Sequence, residues 1–133
     1  MNYLLDTNVC VGLLRGRSEK FKLRLMSLKE NDASVCSIVK AELFFGALRS
    51  QKPAENLAHT RLFLSTFNSF PFDDAAASLS ADIRAKLTRT GSIIGPHDLQ
   101  IAAIALANDL TLVTHNSSEF SRIDGLRMED WEV

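Results

Sequence analysis

Short apolar runs of β type recur along this chain, and nearly every one is followed by a stretch whose apolar residues return at helical spacing. Such switching of period, from 2 to about 3.6 residues, marks strands carried from one to the next by helices. Tyr3-Leu4-Leu5 leads into Val9, Val11, Leu13 and Leu14, with Thr7 or Asn8 placed to cap the turn. Ala33-Ser34-Val35-Cys36 leads through a Ser37 cap into a helix over 38 to about 50. Phe70-Pro71-Phe72 is an extended piece before a helix capped by Asp73 or Asp74 and ended by Gly91. Gly95-Pro96 opens a helix whose small residues, 101–107, suit close packing on a sheet, and it feeds the buried-type strand Thr111-Leu112-Val113-Thr114. Further helices are expected over 19–29 and 54–67, and an edge strand within 126–131. The expectation is an α/β fold, with a central parallel sheet flanked by helices on both faces and ligands at the carboxyl ends of the strands.

Composition bounds the rest. With 133 residues, 46% hydrophobic and 23% charged, and no repeat or linker, the chain is expected to form a single domain over 1–133. A domain near this length buries roughly two thirds of its unfolded surface and needs no disulfide or structural metal. Cys10 and Cys36 lie inside apolar runs without zinc-type spacing, so they are expected as small buried hydrophobes. The formal net charge is -1, so any attraction to nucleic acid must come from a local patch. The opening MNYLLDTN has no basic n-region or cleavage site, and no segment reaches the apolar length of a membrane helix; a cytoplasmic location is expected.

Four carboxylates sit badly with a purely structural role. Asp6 directly follows an apolar strand and begins the turn into a helix, where it is either a cap or a group at a strand's carboxyl end. Glu42 has Ile38, Val39, Phe45 and Gly46 three and four residues away, so its charge must either reach the edge of the apolar stripe or enter a polar site. Asp98 lies in the first turn of the helix after Gly95-Pro96, where the helix dipole favours an anion. Glu119 follows the last main strand and the polar turn His115-Asn116-Ser117-Ser118. A parallel sheet can bring strand ends and helix starts into one crevice, and four acids there would repel one another without a cation. A hard divalent ion such as Mg²⁺, or Mn²⁺, resolves the conflict and leaves positions open for a phosphate oxygen. Metal-assisted phosphodiester hydrolysis is the chemistry such a site supports.

The stretches LLDTN at 4–8, AELFFGA at 41–47, IGPHDLQIAAIAL at 94–106 and LVTHNSSEF at 112–120 resemble PIN-domain ribonucleases, and more narrowly VapC toxins of bacterial type II toxin-antitoxin modules. The resemblance spans essentially the whole chain, with four motifs in family order and spacing. It implies a PIN-like fold and a Mg²⁺- or Mn²⁺-dependent endoribonuclease acting on structured RNA such as tRNA and leaving 5′-phosphate and 3′-hydroxyl ends. It also implies inhibition by a cognate VapB-like antitoxin, and a homodimer. Carried over motif by motif, Asp6, Glu42 and Asp98 match the acidic triad that holds the metal, and Glu119 matches the further acid of the last motif. Many relatives have Asp where Asn116 stands, so this position offers a carbonyl ligand or a hydrogen bond to water in place of charge. Thr7, Asn8 and Thr114 resemble the polar groups that orient ligands and water.

Three other readings compete. A small Mg²⁺ phosphohydrolase with an aspartyl nucleophile needs a second acid where Asn8 stands. A phospho-receiver-like pocket needs an acid beside Asp6 and a lysine after the later strand, where Thr114 and His115 stand. A catalytically silent PIN domain used only for interaction sits poorly with four intact acids. His59 is expected at the surface or in the core, and His97 and His115 lie near the presumed site without a required role as base. Arg49, Arg84, Lys86 and Arg89 are candidates for holding an RNA backbone, binding an acidic segment, or merely solvating the surface.

Overall fold

The computed structural model describes residues 2–17, 19–29 and 31–132. Among them run β1 (Tyr3–Leu5), α1 (Thr7–Leu14), α2 (Glu19–Met26), β2 (Ala33–Cys36), α3 (Ser37–Leu48) and α4 (Pro53–Leu64). These are followed by β3 (Asn68–Phe70), α5 (Asp74–Thr90), α6 (Pro96–Ala107), β4 (Thr111–Val113), α7 (Ser117–Phe120) and β5 (Met128–Glu129). The strands form one wholly parallel sheet in the order β3-β2-β1-β4-β5, with Tyr3 opposite both Ala33 and Thr111. The expected α/β architecture is thus observed. From β1 the chain steps outward through β2 to β3, then returns to the other side of β1 to place β4 and β5. The crevice between the carboxyl ends of β1 and β4 is therefore the point where strand order reverses, the position at which open parallel sheets bind ligands.

The central strands β1, β2 and β4 are buried at every position, because helices cover both faces of the sheet. Leu4, Leu5, Val35, Leu112 and Val113 are fully enclosed, each such side chain contributing roughly 1.5–3 kcal/mol by leaving water. In α6 the run Ile101, Ala102, Ala103, Ile104, Ala105 is completely buried, and its alanines let that helix approach closely, with α5 packed along it. Cys10 and Cys36 are buried free thiols, and burial raises both above the ordinary thiol range, which keeps them inert. Trp131 packs edge-on against Tyr3 at 5.2 Å and against Phe21 at 5.6 Å, fastening the end of the chain to the body. No helix among the described residues is long and apolar enough to cross a membrane.

Some local expectations needed correction. Asp6 caps α1, its Oδ1 accepting from the Val9 N–H at 2.8 Å, while Thr7 and Asn8 lie inside the helix. Ser37 also lies inside its helix, because extended Cys36 passes directly into α3 without a side-chain cap. Helices α2 and α4 stop about one turn short of their expected ends. Strand β3 begins at Asn68, whose pairing with Ser34 substitutes for the apolar pattern that this exposed edge lacks. The polar turn after β4 coils into α7. Asp73 and Gly91 terminate α5 as expected; Gly91 sits at φ 71°, the left-handed conformation that glycine adopts without strain.

Candidate active site

Strand β1 delivers Asp6 to the crevice. Its backbone N–H donates to the Val113 carbonyl at 3.2 Å, which fixes the carboxyl end of β1 beside that of β4. Asp6 is buried, and burial is the main cause of its raised pKa. Hydrogen bonds from the Thr114 hydroxyl and the Val9 N–H favour the charged form in opposition, and the negative charges of Glu132 and Glu42 disfavour it further. Thr114, wholly enclosed just past β4, also accepts from the Asn116 N–H at 2.9 Å.

Glu42 enters from α3, which buried Val39, Leu43 and Ala47 seat against the core. Its Oε1 accepts from the Thr7 hydroxyl at 2.6 Å and its Oε2 lies 3.2 Å from His97 Nδ1. The polar-site reading of Glu42 is therefore the one the fold realises. Asp98 occupies the first turn of α6, next to His97, in a half-buried position. Its pKa is raised from 3.8 to about 6, first by desolvation, then by the charges of Glu119, Asp6 and Glu42, with His97 acting weakly the other way. A helix N-terminus alone would have lowered it. Glu119 on α7 accepts from the Gly95 N–H at 3.1 Å and from the Asn116 amide at 2.8 Å, so both oxygens tie α7 to the start of α6.

The charges of Asp6, Glu42 and Glu119 all bear on Asp98, and that of Glu42 on Asp6, although no three of the four acids bring donor oxygens within 4.8 Å of one another. Among the described residues, the three donor atoms lying mutually within 4.8 Å belong to His115, Asp130 and Glu132. No lysine or arginine among the described residues pairs with Asp6, Glu42, Asp98 or Glu119. An all-oxygen, uncompensated and widely spaced donor set suits a hard divalent cation that keeps several of its waters.

Two openings adjoin the acids. A groove of about 970 Å³ carries Thr7, Glu42 and His97 together with Arg15, Phe45 and Arg49. A smaller recess of about 330 Å³ carries Asp6, Asn8, Arg17, His115, Asn116 and Glu132. Arg49 lies 5.3 Å from the ring centroid of exposed Phe45, and His59 also lines the groove. Arg84 opens onto a separate cleft, lined by Phe72, Ile93 and Gln100, that none of the four acids lines. Sequence reasoning missed the contact of His97 with Glu42 and the approach of Asp130 and Glu132 to His115. The only local signal of the second was the acid-rich end of the chain around Trp131.

Comparison with known proteins gives the family and bears out the fold. The chain belongs to the PIN domain family, whose model matches residues 3–126. It is 37% identical over 131 residues to the tRNA(fMet)-specific endonuclease VapC of Shigella flexneri, covering 98% of each chain. It is 38% identical over 133 residues to ribonuclease VapC2 of Rickettsia felis, covering 99% of each. Among solved structures, DNA-bound VapBC from Salmonella typhimurium aligns with a TM-score of 0.93 at 37% identity, over 98% of both chains. VapBC2 of Rickettsia felis bound to a promoter fragment aligns with a TM-score of 0.92, also at 37% identity, over 98% of this chain and 99% of that one.

Proposed function

We propose that this chain is a VapC-type toxin: a single PIN domain over 1–133 that hydrolyses RNA phosphodiester bonds with a divalent ion, Mg²⁺ or Mn²⁺. The observation that carries the reading is that the charges of Asp6, Glu42 and Glu119 converge on Asp98 without a lysine or arginine among the described residues paired to any of the four. The similarity to proteins named as ribonucleases and as a tRNA endonuclease supports it, and makes structured RNA such as tRNA the substrate class.

Asp6, Glu42 and Asp98 would hold the ion, and Glu119 would add its charge through the α6–α7 junction. The ion supplies Lewis acidity, lowering the pKa of water and shielding the scissile phosphate. The chain's own residues supply position. Thr7 aims Glu42, the Thr114 hydroxyl favours the charged form of Asp6 against the burial that raises its pKa, and the buried setting excludes bulk water from Asp6. Asn116 holds Glu119 through its amide. Arg15 and Arg49 in the adjoining groove offer contacts to a phosphate backbone.

The partner is a VapB-like antitoxin, consistent with the similarity to VapBC complexes. Its inhibitory segment would lie along the groove beside Glu42, where Phe45 is exposed, with a basic side chain approaching the acids. The toxin itself would be a homodimer acting in the cytoplasm.

The test is incubation of antitoxin-free protein with total RNA in Mg²⁺ or chelator, with end mapping of the fragments. Discrete cleavage that chelator abolishes and that Asp6→Asn or Asp98→Asn lacks, in folded protein, is the expected result. Cleavage undiminished in either variant, from preparations cleared of contaminating nuclease, would overturn the site assignment.

A further inference from the structure

The tail carries three metal-ligating side chains that the proposed reaction does not use. His115 follows β4, whereas Asp130 and Glu132 flank Trp131 at the end of the chain. The buried indole of Trp131, packed on Tyr3 and Phe21, fixes the backbone from which both acids project. The Glu132 N–H donates to Asp130 Oδ1 at 3.0 Å, which turns Oδ2 toward the imidazole. His115 Nδ1 then stands 2.8 Å from Asp130 Oδ2 and 3.2 Å from Glu132 Oε2.

One ring nitrogen carries at most one hydrogen, so the two carboxylates must share it in a weaker three-centre bond or one of them goes without. A metal ion can serve all three donors at once. Ligand bonds of about 2.0–2.2 Å set neighbouring donors roughly 3 Å apart around an ion, the separation found here between nitrogen and each oxygen. All three donor atoms lie within 4.8 Å of one another. His115 and Glu132 also line the recess of about 330 Å³ that opens beside them, so an ion has an entry path and room to keep a water.

We propose that His115, Asp130 and Glu132 form a second divalent-cation site, with a donor set distinct from the four acids although its recess also carries Asp6, and selective for ions that accept imidazole, such as Zn²⁺ or Co²⁺, over Mg²⁺. The donor set carries that selectivity: one nitrogen with two oxygens suits borderline transition ions, whereas the all-oxygen pocket suits hard ones. Occupied, the site neutralises the Glu132 charge that bears on Asp6 and pins the end of the chain to the segment leaving β4.

The site can be separated from the four acids by titrating the full chain carrying Asp6→Asn, Glu42→Gln and Asp98→Asn, since Asp6 lines the same recess. Trp131 is the only tryptophan and lies between two of the ligands, so its fluorescence reports the site directly. Co²⁺ is expected to quench Trp131 saturably with one equivalent, Zn²⁺ to compete, and Mg²⁺ to compete at least 100-fold more weakly. Adding His115→Ala should remove the saturable phase while leaving the fluorescence of the metal-free chain unchanged. Long-range proton–nitrogen spectra should show Zn²⁺ shifting Nδ1 of His115 and not that of His59. Saturable quenching that survives His115→Ala, an absence of quenching, or Mg²⁺ competing as well as Zn²⁺ would each overturn the proposal. The readout is binding alone, so it stands apart from whether the chain cleaves RNA.

Discussion

Asp98 stands in the first turn of α6, where an anion is ordinarily welcome, yet its pKa is raised to about 6 by burial and by three other acids. Between 3.8 and about 6 the folded chain therefore binds more protons at this group than the unfolded chain does. Its contribution to stability falls as pH rises across that window and is most unfavourable above it. Asp98→Asn should accordingly stabilise the metal-free protein at neutral pH by about 1 kcal/mol, a figure discounted for solvent screening of a half-buried group. The gain should vanish below pH 4 or so, where the parent's acid is protonated as well. Thermal melts in chelator across pH check this, and a variant less stable than its parent at neutral pH would make Asp98 a simple helix anion. At Glu42 the matter is orientation. Thr7→Val removes the hydroxyl that donates to Oε1, and groups that orient a ligand in this way typically carry 10–100-fold of metal affinity or activity. Cleavage rates measured against Mg²⁺ concentration should show that loss with little change in melting temperature, since Thr7 is only partly buried.

The elements explain why these residues meet. Capping of α1 by Asp6 realises its structural reading, and the same bond fixes the carboxylate at the end of β1, where the proposed ion would need it. Glu119 holds the entry to α6 differently: the N–H of Gly95, the residue before the helix, donates to its Oε1. The position of Asp98 depends on how closely α6 lies on the sheet, which its buried alanines permit. Ala103→Leu should overpack that contact and cost about 1–3 kcal/mol, measurable by urea denaturation. Because the error is carried to Asp98 through the helix axis, the same variant should lose cleavage beyond what its unfolded fraction explains. These elements were legible in the sequence, because strand and helix periods and the Asp73, Gly91, Pro53 and Pro96 boundaries act over a few neighbouring residues. Strand β3 and helix α7 were not, because Asn68 and Ser69 are exposed and α7 has only four residues, too few to show a period.

At the scale of the whole molecule, the acids around Asp98 repel one another, and the proposed cation would relieve that repulsion. A divalent ion binding only the folded chain should add about 2.7 kcal/mol of stability at 100 times its dissociation constant. Melts with and without Mg²⁺ should show this stabilisation in the parent and little of it in Asp6→Asn; an equal response in both would place the ion elsewhere. The four acids could be picked out of the sequence because each is an awkward residue in its own neighbourhood: Asp6 closing an apolar strand, Glu42 among apolar helix neighbours, Asp98 and Glu119 at element starts. Their roles as a set came from the resemblance of whole motifs. What only the tertiary structure decided is who touches whom: Thr7 with Glu42, His97 with Glu42, Thr114 with Asp6, and the tail acids with His115. Period and capping are local energies and leave their mark in the residues themselves. The contacts between residues 35, 55 or 108 positions apart follow from packing α3 against α1 and α6 and from placing β4 against β1, and those choices belong to the packing of the whole domain.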